Sequence, residues 1–329
     1  MNLANKGFEE LEYLVTGKAN IHQWSAANTA EVRTANAAYT NRIIVIRPKD
    51  PKKANGKVMV DILNATVGWD FNKNWAVMHE HLLEDGWTYI GVTSKAVTAA
   101  ALQTFDPVRY KSISWENPLS LDNSMNCAVS GTDKQTAENG LLWDMLTHVG
   151  ALAKSKDENS PFKDYANKRV YLAGFPQSGG NIHAYANAIR PLAKRSDRKP
   201  VFDGYLQVSP IGSTPLNQCD TTSIGSSDPR YTIMPRNVPF ITVVGAKDVL
   251  TYITTYVRRR DDNDTPADRY RLYEVPGGSH SWTKQLAFNA DPTDVLNTGN
   301  TNPNVVVPAS CDIPEPNDFP MHYVMNVAF

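Results

Sequence analysis

Short apolar runs along the chain alternate with longer stretches in which hydrophobic positions recur at helical spacing. Asn41–Arg47, Lys57–Leu63, Tyr89–Thr93, Arg169–Ala173, Phe202–Val208, Pro239–Val244 and Tyr270–Val275 are rich in Val, Ile, Leu and Tyr and read as strands. Most are nearly continuous in hydrophobicity, which suits a sheet covered on both faces. Between them, Trp75–Asp85, Gln135–Ala153 and Gly179–Lys194 carry helical periodicity. The β-α-β order predicts a mostly parallel sheet covered by helices. Residues 94–134, 209–237 and 283–320 break this rhythm, being long and rich in Ser, Thr, Asn, Asp, Gly and Pro. Loops of that length inside a compact domain are lids, binding loops or insertions. Each would leave the carboxyl end of a strand, the edge where open α/β sheets bind ligands. With no internal repeat, residues 1–329 read as one domain with elaborated loops.

Composition narrows the partners. Lys and Arg number 33 against 34 Asp and Glu, for a net charge of -1, which gives no long-range field for a phosphate backbone. The one basic run, Arg258-Arg259-Arg260, is followed at once by Asp261, Asp262 and Asp264 and reads as a self-compensating surface. No P-loop or G-x-G-x-x-G marks a nucleotide site. No apolar run approaches the roughly 18 residues of a membrane span. The first residues lack the features of a signal peptide, so a soluble chain is expected, cytoplasmic or secreted with its signal removed. The spacing of Cys127, Cys219 and Cys311 excludes a disulfide framework and the usual zinc patterns. Cys219 and Cys311 sit in polar, Pro-flanked sequence where one bridge could form in an exported protein; free or buried thiols are slightly favoured.

The chemistry centres on Ser178. After the strand RVYLAG comes Phe175-Pro176-Gln177-Ser178-Gly179-Gly180 and then a helix. A sharp strand-to-helix turn puts a serine at a strained elbow, where small residues are needed on either side. Gly180 meets that need; Pro176 stands where glycine is familiar, and Gly174 lies four residues before the serine rather than two. Such a serine needs a base, and the base an orienting carboxylate. His280 follows the strand YRLYEV and the turn Pro276–Ser279, where a base can reach the elbow. His79 and His81 face different ways on one helix, HEHLL fails H-E-x-x-H, and His183 is expected to pack against the sheet. Asp248 follows the strand PFITVV. The order Ser178, Asp248, His280 is that of the α/β-hydrolase fold. The oxyanion hole would take the N–H of Gly179 and one from the Asn64–Gly68 loop, Ala65 or Thr66 equally. Gln177 and Trp282 are expected beside the substrate. Phe105, Tyr110, Trp115, Tyr231 and Trp282 either line a pocket or anchor their loops.

These residues resemble the α/β-hydrolase-domain family, whose elbow reads Ser-Gln-Ser-Gly. The matching stretches are GKVMVDILNATVGWDF, WAVMHEHLLEDGWTYIGVTSKAV, FDPVRYKSIS, YLAGFPQSGGNIHAYANAIRPLA, FDGYLQVSP, YRLYEVPGGSHSW and FPMHYVMNVAF, in order over most of the chain. The resemblance places the family's serine on Ser178 and its histidine on His280, with Pro176 replacing the first elbow serine. The family often carries a glutamate two residues before its acid, where this chain has Ala246; Asp248 is the acid, with Asp261, Asp262 and Asp264 as substitutes. Members tend to continue beyond HYVMNVAF, so a chain ending at Phe329 is expected to be short or incomplete. The resemblance implies a serine esterase, a carboxylesterase acting on a small-molecule ester through a catalytic triad, without metal or organic cofactor. The same residues would serve an acyltransferase or lyase, and a catalytically silent binding protein could retain the fold.

Overall fold

The computed structural model describes residues 2–25, 29–127, 135–193, 195, 197, 199–210, 215–220, 228–249, 259–280, 292–301 and 318–329. Its strands are β1 (Phe8–Trp24), β2 (Ala30–Pro48), β3 (Lys57–Ile62), β4 (Thr88–Val92), β5 (Arg169–Gly174), β6 (Gly204–Val208), β7 (Pro239–Gly245), β8 (Asn263–Thr265) and β9 (Asp268–Val275). Among the described residues they form one sheet in the order β1-β2-β4-β3-β5-β6-β7-β9-β8. From β4 to β9 in that order, neighbours run parallel; β1, β2 and β8 add antiparallel edges.

The near-continuous hydrophobicity of the central strands reflects two covered faces. Val58, Val60 and Ile62 of β3, with Val170 and Leu172 of β5, meet Trp143, Met145 and Leu146 of helix α3 (Leu142–Leu152). Met59, Ala173, Leu206 and Val243 point the other way, against Trp75, Val77, Met78 and Leu82 of helix α1 (Lys73–Glu84). Met321 and Met325 of the C-terminal helix Met321–Ala328 complete that second layer. Full burial of each such side chain contributes roughly 1.5–3 kcal/mol, so the parallel sheet is the rigid frame on which the loops stand.

Departures from the sequence reading lie at the edges. β1 was not expected, and β2 is far longer than the Asn41–Arg47 run. The reason is chemical: β1 places Glu9 and Glu12 against Arg47 and Arg42, with Nε–carboxylate distances of 2.9 and 2.7 Å. A ribbon held partly by ion pairs across its strands shows no hydrophobic run. Residues 94–134 open with helix α2 (Ala96–Phe105), where four alanines supply helix propensity. The helix expected over 179–194 starts earlier, as α4 (Gln177–Ala184), and widens to π geometry over Tyr185–Ile189 before Pro191 ends it. Cys219 bonds to Cys127, with Cα atoms 5.4 Å apart, and not to Cys311, which lies outside the described residues. That bridge joins two of the segments read as insertions, 94–134 and 209–237. No described helix is long and apolar enough to cross a membrane.

Candidate active site

Four strand ends on one edge of the sheet hold the candidate residues. β5 ends at Gly174, and Phe175 and Pro176 lead into α4, which begins at Gln177. Pro176 has φ -82° and ψ -39°, close to the helical value its ring prefers. Among the described non-glycine residues, φ is positive only at Asn36 and Ser209. Ser178 therefore sits in the first turn of a helix rather than at a left-handed, strained elbow, and a proline with helical dihedrals leads into that turn. The turn still requires glycine at 174: a Cβ there would lie 2.3 Å from the Ser178 carbonyl oxygen.

Ser178 is fully buried. Its Oγ accepts from the Phe175 N–H at 2.8 Å and donates to the Phe175 carbonyl at 3.2 Å. The Phe175 ring meets the His280 ring edge-on, with centroids 6.1 Å apart. Phe175 is thus the neighbour that the serine and the histidine share.

His280 and Asp248 are brought together directly. Asp248 ends a single helical turn after β7 and is fully buried; its Oδ1 lies 2.5 Å from His280 Nδ1. The Gly245 N–H donates to Asp248 Oδ2 at 3.4 Å. The two loops abut so closely that a Cβ on Gly245 would meet the Gly278 carbonyl oxygen at 2.7 Å. Two of the three substitute acids are engaged elsewhere. Asp262 and Asp264 pair with Arg271, and Arg259 and Arg260 pair with Glu274 and Asp268 instead.

The fourth strand end is that of β3. Asn64 and Phe71 exchange backbone hydrogen bonds of 2.8 and 3.0 Å, closing the loop between them. Asn64 Nδ2 donates to the Phe175 carbonyl at 3.0 Å, the same oxygen that receives Ser178 Oγ, and Asn64 Oδ1 accepts from the Thr66 N–H at 2.9 Å. The Ala65 N–H donates to Gln177 Oε1 at 3.2 Å. The Gly179 N–H donates to the Pro176 carbonyl at 3.0 Å. Each N–H expected to hold an oxyanion therefore already has an acceptor within the protein.

Lys73 escaped the sequence reading. Its Nζ lies 5.5 and 5.4 Å from the ring centroids of Phe71 and Phe175. Burial pushes its pKa down to about 8, against the opposing pull of Asp248. One signal was available: Lys73 is the first residue of α1, the positive end of a helix, where a cation is unfavourable without a local reason. Asn64 lay inside the expected oxyanion loop, but the partners of its side chain come from the elbow, which sequence spacing does not reveal.

Other candidates take structural places. His183 is buried beside the Arg230 carbonyl, 2.9 Å from Nε2, and burial lowers its pKa to about 4. His79 Nδ1 lies 3.1 Å from the Trp75 carbonyl. Tyr110, Trp115 and Tyr231 are buried and anchor their loops, whereas Phe105 is exposed. Trp282 lies outside the described residues. Among the described residues no cluster of His, Cys, Asp or Glu is arranged to hold a metal ion.

A profile of the family described as alpha/beta hydrolase domain matches residues 1–329. No curated protein matches in sequence. Among solved structures, the chain is similar to a thermostable esterase from Pseudomonas putida, at 10% identity and TM-score 0.44, over 100% of this chain and 82% of that one. It is similar to an alpha-beta serine hydrolase homologue from Coxiella burnetii at 12% identity and TM-score 0.40, over 89% and 97% of the two chains. A poly(3-hydroxybutyrate) depolymerase from Bordetella parapertussis matches at 13% identity and TM-score 0.41, over 86% and 94%.

Proposed function

The chain belongs to the α/β hydrolase domain family, and from that premise we propose that it is a serine hydrolase cleaving a small-molecule carboxylic ester through an acyl-enzyme. The observation that carries this reading is the Asp248–His280 pair, 2.5 Å apart, with its carboxylate fully buried, on the same sheet edge as Ser178. A buried carboxylate bonded to Nδ1 fixes the imidazole tautomer and leaves Nε2 to act as base. His280 takes the proton of Ser178, whose Oγ attacks the ester carbonyl. The alcohol leaves with that proton, and water, deprotonated by His280, clears the acyl group. Gly179 and the 64–66 loop supply the oxyanion donors once their present acceptors give way. Residues 1–329 form one domain in this reading, and the segments 94–134, 209–237 and 283–320 cover the site as lid. The Cys127–Cys219 bridge supports an oxidising compartment.

The test is labelling with a fluorophosphonate, read by intact mass, on wild type beside Ser178→Ala. One adduct on wild type and none on the variant is expected, with kcat on a responsive ester falling about 10⁴- to 10⁶-fold in the variant. A folded wild type that takes no adduct, even after proteolytic nicking of the covering segments, would overturn the proposal.

A further inference from the structure

Two polar side chains tie the 64–71 loop to the turn before Ser178, and they differ in kind. Asn64 is 1% exposed and bonded at both ends of its amide, at 3.0 and 2.9 Å. Its backbone is fixed as well, by the pairing with Phe71. Such a residue is a brace, because releasing it would strand buried polar groups. Gln177 is partly exposed. Its bond to the Ala65 N–H is 3.2 Å long, at the outer limit of ordinary N–H···O distances. The acceptor is an uncharged amide oxygen on a long, rotatable side chain.

The chemistry of that acceptor is what draws notice. An amide carbonyl oxygen rests on an N–H that an ester carbonyl oxygen would need, and it comes from the residue directly before the nucleophile. We propose that Gln177 is a latch on the oxyanion side of the site, its carboxamide oxygen standing at the Ala65 N–H in place of the substrate's carbonyl oxygen until substrate displaces it. This rests on the serine-hydrolase reading of Ser178. The ester must open the latch on binding, before its carbonyl oxygen can use the Ala65 N–H, and the tetrahedral intermediate uses the same opened N–H. Ground state and transition state therefore carry the same opening cost, so the latch raises KM while leaving kcat nearly unchanged.

Gln177→Ala and Gln177→Met separate this role from a bracing one, the methionine filling the space without supplying an acceptor. With p-nitrophenyl acetate as probe, both variants are expected to lower KM about 2- to 10-fold with kcat within about threefold of wild type. The Ala65 amide should exchange its hydrogen faster in both. A kcat falling about tenfold or more at unchanged KM would show that Gln177 braces the loop, and would overturn the latch. Unchanged exchange at Ala65 would also overturn it, whether or not the probe ester is turned over. Absence of a phosphonate adduct on wild-type Ser178 strikes the hydrolase reading instead, so the two failures are distinguishable.

Discussion

The two halves of the candidate site are in different states of readiness. At the ends of β7 and β9, Asp248 and His280 already meet at 2.5 Å, between loops so close that Gly245 leaves no room for a Cβ beside Gly278. At the ends of β3 and β5, the serine hydroxyl is bonded to the main chain of Phe175. The N–H groups of Gly179, Ala65 and Thr66 are likewise bonded to Pro176, Gln177 and Asn64. The difference follows from what each half must satisfy without substrate. A buried carboxylate cannot be left without a donor, and the histidine meets that need. Buried N–H groups need acceptors just as much, and here those acceptors come from the protein. In the proposed mechanism one half is already built as it would work, and the other is held by bonds that substrate would have to replace.

The largest break in that comparison comes from the ready half. Asp248→Asn keeps the size of the side chain but can hold the imidazole in the wrong tautomer, and kcat should fall about 10⁴-fold. Steady-state turnover of an ester accepted by wild type measures it, with the rate of phosphonate labelling at Ser178 falling in parallel. Full activity in this variant would mean that another acid serves His280. Next in size is the other half. Asn64→Ala strands the Thr66 N–H and frees the loop from the Phe175 carbonyl. It should cost about 1–3 kcal/mol of stability and, by misplacing oxyanion donors, up to about 100-fold in kcat. Urea unfolding and turnover measure the two effects. Asn64→Asp keeps the acceptor for Thr66 but turns an anionic oxygen on the Phe175 carbonyl, so it should rescue neither. Equal losses in the two variants would assign the brace to the Phe175 bond.

How much of this was legible in the sequence depends on how local each cause is. The parallel strands announced themselves, since burial on both faces writes a continuous apolar run. The order Ser178, Asp248, His280 was legible because each residue follows its own strand, and strand ends converge on one edge of a parallel sheet. β1 was hidden because its glutamates are satisfied by arginines on β2 far along the chain. The partner of Cys219 was hidden for a similar reason: Cys127 and Cys219 are 92 residues apart in sequence, and no spacing rule brings them together. The conformation at Ser178 could have been read more fully. Proline at 176 argues for helical φ at that point, whereas the family pattern directed attention to a strained elbow. The roles of Asn64 and Gln177 depend on two loops being adjacent, a fact that exists only once the sheet is formed.

The smallest expected effect concerns the charge beside the ready half. Lys73 is partly buried, with its Nζ 5.5 and 5.4 Å from the ring centroids of Phe71 and Phe175, and it feels the charge of Asp248. Burial lowers its pKa and Asp248 opposes that, leaving it at about 8. Between that value and the ordinary lysine value of 10.5, the native ammonium gives up its proton while an unfolded lysine keeps it, so stability at this site rises with pH across that window. In Lys73→Met the rise should be absent while the stem's contact with the rings is kept. Urea unfolding of both proteins at about pH 7 and about pH 9.5 measures it. A rise of equal size in the variant would place the responsible proton on another group.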